Sequence, residues 1–193
     1  MARPREFIAD IALERVMDVF WTKGYEATSI DDLCDATGLS RSSLYATFGG
    51  KRSLLLHSVD RYVERRTPSI AAILARPIPV REAFAALLRE FIDLIVSGAG
   101  RRGCFLGNCA AELSRGDRAA LTHVRQGLGR TETVFRDALV RARARGELSA
   151  LADVSALARF LTAGFQGLRL IGKVNPDRGV LEDIAKTMLR CLE

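Results

Sequence analysis

The chain has 193 residues, of which 48% are hydrophobic and 27% charged, a balance typical of a globular protein with a substantial buried core. No apolar run approaches the roughly twenty residues of a membrane span. The polar N-terminal stretch lacks the apolar block of a signal peptide. We therefore predict a cytoplasmic protein with no membrane partner.

The net charge is +6 and the pI is about 9.5, which suggests a polyanionic partner, but the charge is unevenly placed. Residues 1–66 carry ten basic and ten acidic side chains, so residues 67–193 hold the whole basic excess. If the first third binds nucleic acid, it must do so through the placement of its charges. The basic excess of the second part can equally be a solvated helix surface.

The first third of the chain predicts two helices separated by a glycine. Apolar side chains at helical spacing predict a helix over residues 6–22 that stops at Gly24. A second helix begins at Thr28 or Ser29 and ends at Gly38. Each of these two hydroxyl residues precedes an aspartate by three positions, which resembles a capping box with Asp in place of Glu.

A tight turn at Gly38 is followed by a short third helix. Glycine suits this turn because it adopts backbone angles that are costly for other residues. Ser40 is a good N-cap for a helix over residues 40–46. The Gly49-Gly50 pair breaks that helix, and a fourth helix is predicted over residues 51–66.

A proline-rich segment, residues 67–80, marks the predicted joint between a small N-terminal and a larger C-terminal part. Further helices are predicted near residues 80–97, 103–115, 118–145, 152–172 and 177–191. The prediction is an all-α protein with a three-helix unit over residues 1–50, a connecting helix over 51–66 and a larger helical domain over 67–193.

The second and third predicted helices, joined around Gly38, form a helix-turn-helix. In such units the second helix enters the major groove of DNA, and its early residues meet base edges. An ordinary helical hairpin inside a core would have the same turn. The turn alone therefore does not decide between the two interpretations.

The string FWTKGYEATSIDDLCDATGLSRSSLYATFGGKRSLL, Phe20 to Leu55, carries a longer pattern. It resembles the N-terminal domain of the tetracycline-repressor-like (TetR) transcriptional regulators. The matching positions are Gly24, Tyr25, Thr28, Ile30, Leu33, Ala36, Gly38, Leu39, Ser40, Leu44, Tyr45, Phe48 and Lys51. Three positions depart from the family's pattern. Trp21 is bulkier than the small residue common there, and Gly50 stands where the family often has Ser. Arg52 stands where an acidic residue is usual and would add positive charge. The remaining helices match the family only in number and length.

The resemblance implies that the third helix reads DNA, and its residue types suit that role. Ser40 caps the helix, so Arg41, Ser42 and Ser43 occupy its first exposed turn. Arg41 can reach a guanine edge bidentately or a phosphate. The serines are small enough to let the helix approach the groove closely.

Residues flanking this turn are predicted to contact phosphates. Tyr45 and Thr47 can supply hydroxyl groups, although Tyr45 can also have a half-buried packing role. Lys51 at the start of the fourth helix and Thr28 at the start of the second lie where a helix N-terminus favours a phosphate.

Two apolar stripes near the C-terminus predict a dimer interface. They comprise Val154, Leu157, Leu161, Phe165, Leu168, and Leu181, Ile184, Ala185, Met188, Leu192. The resemblance implies a four-helix interface made by two helices of each subunit, and such a dimer would read a palindromic operator. The alternative is that both stripes are internal core.

The second part of the chain also suggests an effector site. It holds six of the nine phenylalanines, and the resemblance implies an apolar pocket between its helices for a small ligand whose binding releases DNA. No charged cluster predicts a charged ligand. We expect a neutral, apolar or aromatic effector.

The segment RRGCFLGNCAAELS, residues 101–114, is a candidate sensor of electrophiles or oxidants. Cys104 follows two arginines at a predicted helix start, where positive charge and the helix dipole favour a thiolate. The segment resembles one found in members of the family that sense such compounds through a cysteine. Phe105 and Cys109 complete the candidate set. The alternative is that both cysteines are small core residues, and a metal site with His123 is not supported by spacing.

The sequence argues against an enzyme. His57 and His123 are its only histidines, neither lies in a nucleophile or metal motif, and we predict no cofactor. The prediction is a homodimeric, ligand-responsive regulator that binds double-stranded DNA, as a repressor. The competing prediction is a helical adaptor that binds protein, and only a DNA binder would lose duplex affinity steeply as salt rises.

Overall fold

The computed structural model describes residues 3–113 and 117–193, and the side chains from residue 9 onward. Within these ranges the chain is α-helical and contains no strand, which confirms the predicted all-α fold. The helices are α1 (Arg3–Lys23), α2 (Ile30–Thr37), α3 (Arg41–Phe48), α4 (Lys51–Leu74), α5 (Val80–Val96), α6 (Phe105–Glu112), α7 (Arg118–Ala144), α8 (Val154–Val174) and α9 (Arg178–Leu189), followed by a 3-10 turn (Arg190–Leu192). None of the described helices has the length and apolar character needed to cross a membrane.

Helix α4 is the element whose predicted bounds differ most from the structure. It continues through Pro68 to Leu74, whereas the prediction ended it near residue 66. A proline inside a helix lacks an N–H for the helical hydrogen bond and destabilises the helix. Here Ile70 and Ile73 lie in the buried core, and their packing offsets that loss. The connection to α5 is therefore limited to residues 75–79.

The chain folds into two compact units. The first consists of Met1–Arg65 and Asn108–Gly127, and the second of Arg66–Gly107 and Leu128–Glu193. Helices α4, α6 and α7 consequently contribute residues to both units. The division predicted from the sequence is by expected function, into a DNA-binding part over residues 1–50, a connecting helix over 51–66 and an effector-binding part over 67–193. That division stays a prediction.

The first unit has a small core beneath its three N-terminal helices. Helix α1 packs against α2, and α2 against α3. Val16, Leu33, Leu44 and Leu54 have no solvent-exposed surface. Complete burial of one apolar residue from each of α1 to α4 holds the helix-turn-helix in place.

The second unit is built around an aromatic cluster. Helix α5 packs against α8 and α9, which also pack against each other. The rings of Phe84 and Phe135 lie 5.1 Å apart, and those of Phe91 and Phe165 lie 4.7 Å apart, both in edge-to-face geometry. A Cβ atom at Gly164 would stand only 2.6 Å from the end of the Met188 side chain, so glycine there leaves room for this side chain of α9.

The two stripes predicted to form the dimer interface are internal core, and their assignment to an interface was wrong. All ten residues are buried in the second unit or pack against its core. A different set of α8 residues is exposed. We call Phe160, Leu170, Ile171 and Val174 the exposed face of α8. Helical periodicity shows which residues share a face, but α8 has two apolar faces and the sequence prediction chose the inner one.

Candidate nucleic-acid interface

Helix α2 is fixed at its start by a reciprocal cap. The Ser29 Oγ accepts a hydrogen bond from the Asp32 amide at 3.1 Å, and the Asp32 carboxylate accepts one from the Ser29 amide at 2.7 Å. Lys23 also donates to this carboxylate at 2.6 Å. The hydrogen bond from Lys23, together with those from Ser29, holds the pKa of Asp32 well below its usual range. The capping box predicted with Asp in place of Glu is confirmed at Ser29.

The turn into α3 depends on Gly38 and Ser40. Gly38 has a φ of +71°, in the left-handed region, and its amide donates to the Cys34 carbonyl at 2.8 Å. Ser40 has extended backbone angles and accepts a hydrogen bond from the Ser43 amide at 3.2 Å. The predicted N-cap of α3 is thus confirmed. The helix ends at Phe48, two residues later than predicted.

Helix α3 presents its polar side outward. Leu44 is completely buried and attaches the helix to the first unit. The exposed residues of the helix are Arg41, Ser42, Ser43, Tyr45, Ala46 and Thr47. Tyr45 is 43% exposed, so part of its surface is covered by the protein and part is accessible. The side chains predicted to read DNA therefore share one accessible surface.

Arg41 is partnered within the first unit. Its Nη2 atom lies 2.9 Å from the Oδ1 atom of Asp31 on α2. Both side chains are mostly exposed, and ion pairs of this kind contribute little to stability. Arg41 can therefore exchange Asp31 for a base edge or a phosphate at small cost.

Lys51 begins α4, as predicted. Its Nζ atom lies 4.4 Å from the centroid of the Tyr25 ring and donates to the Glu26 carbonyl at 3.4 Å. These contacts hold the ammonium group near the N-terminus of α4 and beside the turn that precedes α2. A phosphate at this point would meet both the ammonium and the helix dipole.

Thr28 was predicted to lie at the start of the second helix, but α2 begins at Ile30 with Ser29 as its N-cap. The side chain is 2% exposed, and its Oγ1 atom donates to the Gly24 carbonyl at 2.5 Å. The hydroxyl is used to close the turn between α1 and α2. The predicted phosphate contact at the N-terminus of α2 does not depend on this hydroxyl and stays a prediction.

Arg52 was expected to add positive charge to the DNA-binding surface, but a carboxylate neutralises it. Its Nε and Nη2 atoms donate to the two carboxylate oxygens of Asp117 at 2.8 and 2.5 Å. Asp117 also accepts from the Ala120 amide at the start of α7. The Arg52 hydrogen bond, with that of Ala120, lowers the pKa of Asp117 to about 2.

A second carboxylate from the same part of the chain contacts the turn after α1. Glu112, the last residue of α6, accepts a hydrogen bond from the Tyr25 amide at 2.6 Å. We call Glu112 and Asp117 the carboxylate clamp. The clamp holds the segment between α1 and α2 and the start of α4.

The candidate sensor residues are enclosed. Cys104, immediately before α6, is 6% exposed, and Phe105 and Cys109 are 1% and 4% exposed. Each cysteine is free of disulfide bonds. No group of three or more potential metal ligands occurs in the part of the chain that the structure describes. A reagent must therefore penetrate the protein to reach the Cys104 thiol.

Comparison with known proteins agrees with these features. Residues 13–57 match the family model of bacterial regulatory proteins of the tetR family, and residues 81–188 match that of the tetracyclin repressor-like C-terminal domain. The HTH-type transcriptional regulator YezE of Bacillus subtilis (strain 168) is 33% identical over the full length of both chains. The HTH-type transcriptional repressor ComR of Escherichia coli (strain K12) is 34% identical over 97% of this chain and 90% of ComR.

Among solved structures, a cysteine-substituted form of the TetR family regulator CifR superimposes with a TM-score of 0.85. It is 31% identical, and the match covers 94% of this chain and 95% of CifR. That structure contains a 26-base-pair double-strand operator DNA. One matched family model spans more than half of this chain, and the two relatives align along most of their length. The chain therefore belongs to the TetR family of DNA-binding transcriptional regulators and is not an enzyme.

Proposed function

We propose that the protein is a repressor that binds a palindromic operator as a homodimer through α3 and is released by a small effector held in its second unit. The main support is the placement of α3. The helix is capped at Ser40, attached by buried Leu44 and exposed from Arg41 through Thr47. The relatedness to the repressor ComR and to operator-bound CifR supports the same assignment.

The exposed residues divide into two roles. Arg41, in the first turn of α3, contacts a base edge, because an arginine can pair bidentately with guanine. Ser40, Ser42 and Ser43 permit close approach of the helix backbone to the groove. The hydroxyls of Tyr45 and Thr47 and the ammonium of Lys51 contact phosphates and set the position of the helix on the duplex.

Two alanine variants test these roles on an operator obtained by enrichment of bound genomic fragments. Lys51→Ala is expected to weaken binding to all duplexes alike and to reduce the slope of log affinity against log salt by about 1. Arg41→Ala is expected to remove the preference at one base pair, worth about 1–3 kcal/mol. Fluorescence anisotropy at several salt concentrations measures both effects.

The matched control is Arg89→Ala, since Arg89 is an exposed arginine on α5 and should bind the operator as the parent does. Equal loss on every sequence for Arg41→Ala would exclude a base contact by this residue. Failure of the parent to bind any duplex even at low salt would instead favour the adaptor function.

The effector is proposed to act through α6. This helix begins with Phe105 in the second unit and ends with Glu112, whose carboxylate holds the Tyr25 amide in the first. A compound that displaces the beginning of α6 would therefore disturb the clamp and the segments that it holds, before α2 and at the start of α4. The population would then shift towards a state that cannot bind the operator.

An electrophile that alkylates Cys104 is one proposed effector. In a Cys34→Ser background, which removes the half-buried thiol near α3, N-ethylmaleimide is expected to release the operator. Cys104→Ser should abolish this release, whereas Cys191→Ser should not, because Cys191 lies after α9. Mass spectrometry of the adduct identifies the modified thiol. If Cys104→Ser responds as its parent does, Cys104 is a core residue and not a sensor.

A further inference from the structure

Helix α8 places three polar side chains on one face within the second unit. Thr162, Gln166 and Arg169 are spaced at i, i+4 and i+7, so they lie one above another along the helix. Arg169 is 6% exposed. The face adjoins the core stripe that contains Phe165, and it is distinct from the exposed face of α8.

Two of these side chains have buried atoms whose hydrogen-bonding capacity is not used within the protein. The Thr162 Oγ1 and Gln166 Oε1 atoms are inaccessible to solvent and have no hydrogen-bond partner. They are the only such side-chain atoms in the part of the chain that the structure describes. Buried polar atoms in proteins are nearly always paired, and unpaired ones destabilise the fold unless a bound molecule satisfies them.

The surroundings of Gln166 connect this face with the candidate effector residues. A Cβ atom added at Gly107 would stand 3.4 Å from the Cys104 Cβ and 3.8 Å from the Gln166 Oε1. Both distances are ordinary van der Waals contacts, so the gap between the two side chains is about the size of one methyl group. The Gln166 acceptor lies against α6 at Gly107, one turn after Cys104.

Arg169 links α8 to the segment before α6. Its Nη2 atom donates to the carbonyl of Gly103 at 2.8 Å, directly before Cys104. The guanidinium carbon lies 5.2 Å from the centroid of Phe91 and 5.6 Å from that of Phe165. Arg169 therefore joins the polar face of α8 both to the segment before Cys104 and to the aromatic core.

We propose that Thr162 and Gln166 form a subsite for the polar end of a neutral effector that carries a hydroxyl or amide N–H group on an aromatic or aliphatic body. The Gln166 Oε1 accepts a hydrogen bond from this group, and the Thr162 hydroxyl donates to it or accepts from it. Arg169 positions the loop before Cys104 and keeps the subsite open. This inference rests on the proposed effector site and adds a polar requirement to the apolar ligand expected from the sequence.

The test compares benzyl alcohol with toluene, which differ by one hydroxyl group. Wild-type protein is expected to bind benzyl alcohol about tenfold more tightly, the usual value of one added hydrogen bond. Gln166→Leu should remove this preference, because leucine lacks the unpaired acceptor and has a similar size. Titration monitored by ligand-observed NMR gives the two affinities.

The control is Gln126→Leu, the same change at an exposed position on α7, which should retain the preference. Thr162→Val is a second, nearly isosteric test of the subsite and should also reduce the preference. The proposal is overturned if wild type binds both probes equally, binds neither, or if Gln166→Leu keeps the full preference.

Operator binding, measured in parallel, separates this proposal from the proposed function. If benzyl alcohol releases the operator equally from wild type and Gln166→Leu, the effector function stands and the subsite is refuted. If the binding preference depends on Gln166 but no operator is released, the subsite stands and its effector role fails.

Discussion

Leu170→Glu is expected to convert the dimer into monomers and to abolish high-affinity operator binding. Leu170 is 63% exposed and lies on the exposed face of α8, beside Val174 at 76%. Large apolar side chains grouped in this way mark an interaction surface. In a two-fold dimer each protomer would bring one carboxylate into the interface, and a buried unpaired charge is strongly destabilising.

The dimer Kd should rise by at least about 100-fold, which corresponds to the lower end of the cost of an unpaired buried charge. Sedimentation velocity measures the dimer, and a half-site probe compared with the full palindrome measures the effect on DNA. Leu151→Glu is the matched control, because Leu151 is 95% exposed but precedes α8. A Leu170→Glu protein that stays dimeric would place the interface elsewhere.

Leu44→Ala is expected to lower the free energy of unfolding of the first unit by about 2–5 kcal/mol, the usual cost of removing a buried leucine side chain. Leu44 has no exposed surface and is the only fully buried residue among those that the structure describes in α3. Its loss would leave the recognition helix loosely attached. Operator affinity should therefore fall together with stability.

Urea denaturation followed by circular dichroism measures this change. Thr47→Ala, on the exposed side of the same helix, should alter stability by no more than about 0.5 kcal/mol. A Leu44→Ala variant with unchanged stability would show that α3 is held by other contacts. In that case contacts other than the burial of Leu44 would hold the exposed side of α3 towards solvent.

Local signals in the sequence predicted the helix-turn-helix closely. The caps at Ser29 and Ser40 and the turn at Gly38 each depend on residues within four positions of one another. Hydrogen bonds over such short separations follow from residue type and spacing alone. The start of α4 at Lys51 was predictable for the same reason.

Contacts between distant parts of the chain were not predictable. Arg52 looked like a free cation in the sequence, but its partner, Asp117, lies 65 positions later. Glu112 and Tyr25 are separated by 87 positions. No spacing rule connects such pairs, because they are determined by how α6 and α7 pack in the first unit. The burial of Thr28 was not predictable for the same reason, since it also depends on packing.

The distribution of the first unit over two chain segments has a consequence for dissection of the protein. A fragment truncated after Arg65 would lack both clamp carboxylates. Its Arg52 guanidinium would carry an uncompensated charge, and the Tyr25 amide would lose its acceptor. Such a fragment would bind polyanions with less discrimination than the parent. DNA selectivity measured on the fragment would therefore differ from that of the whole protein.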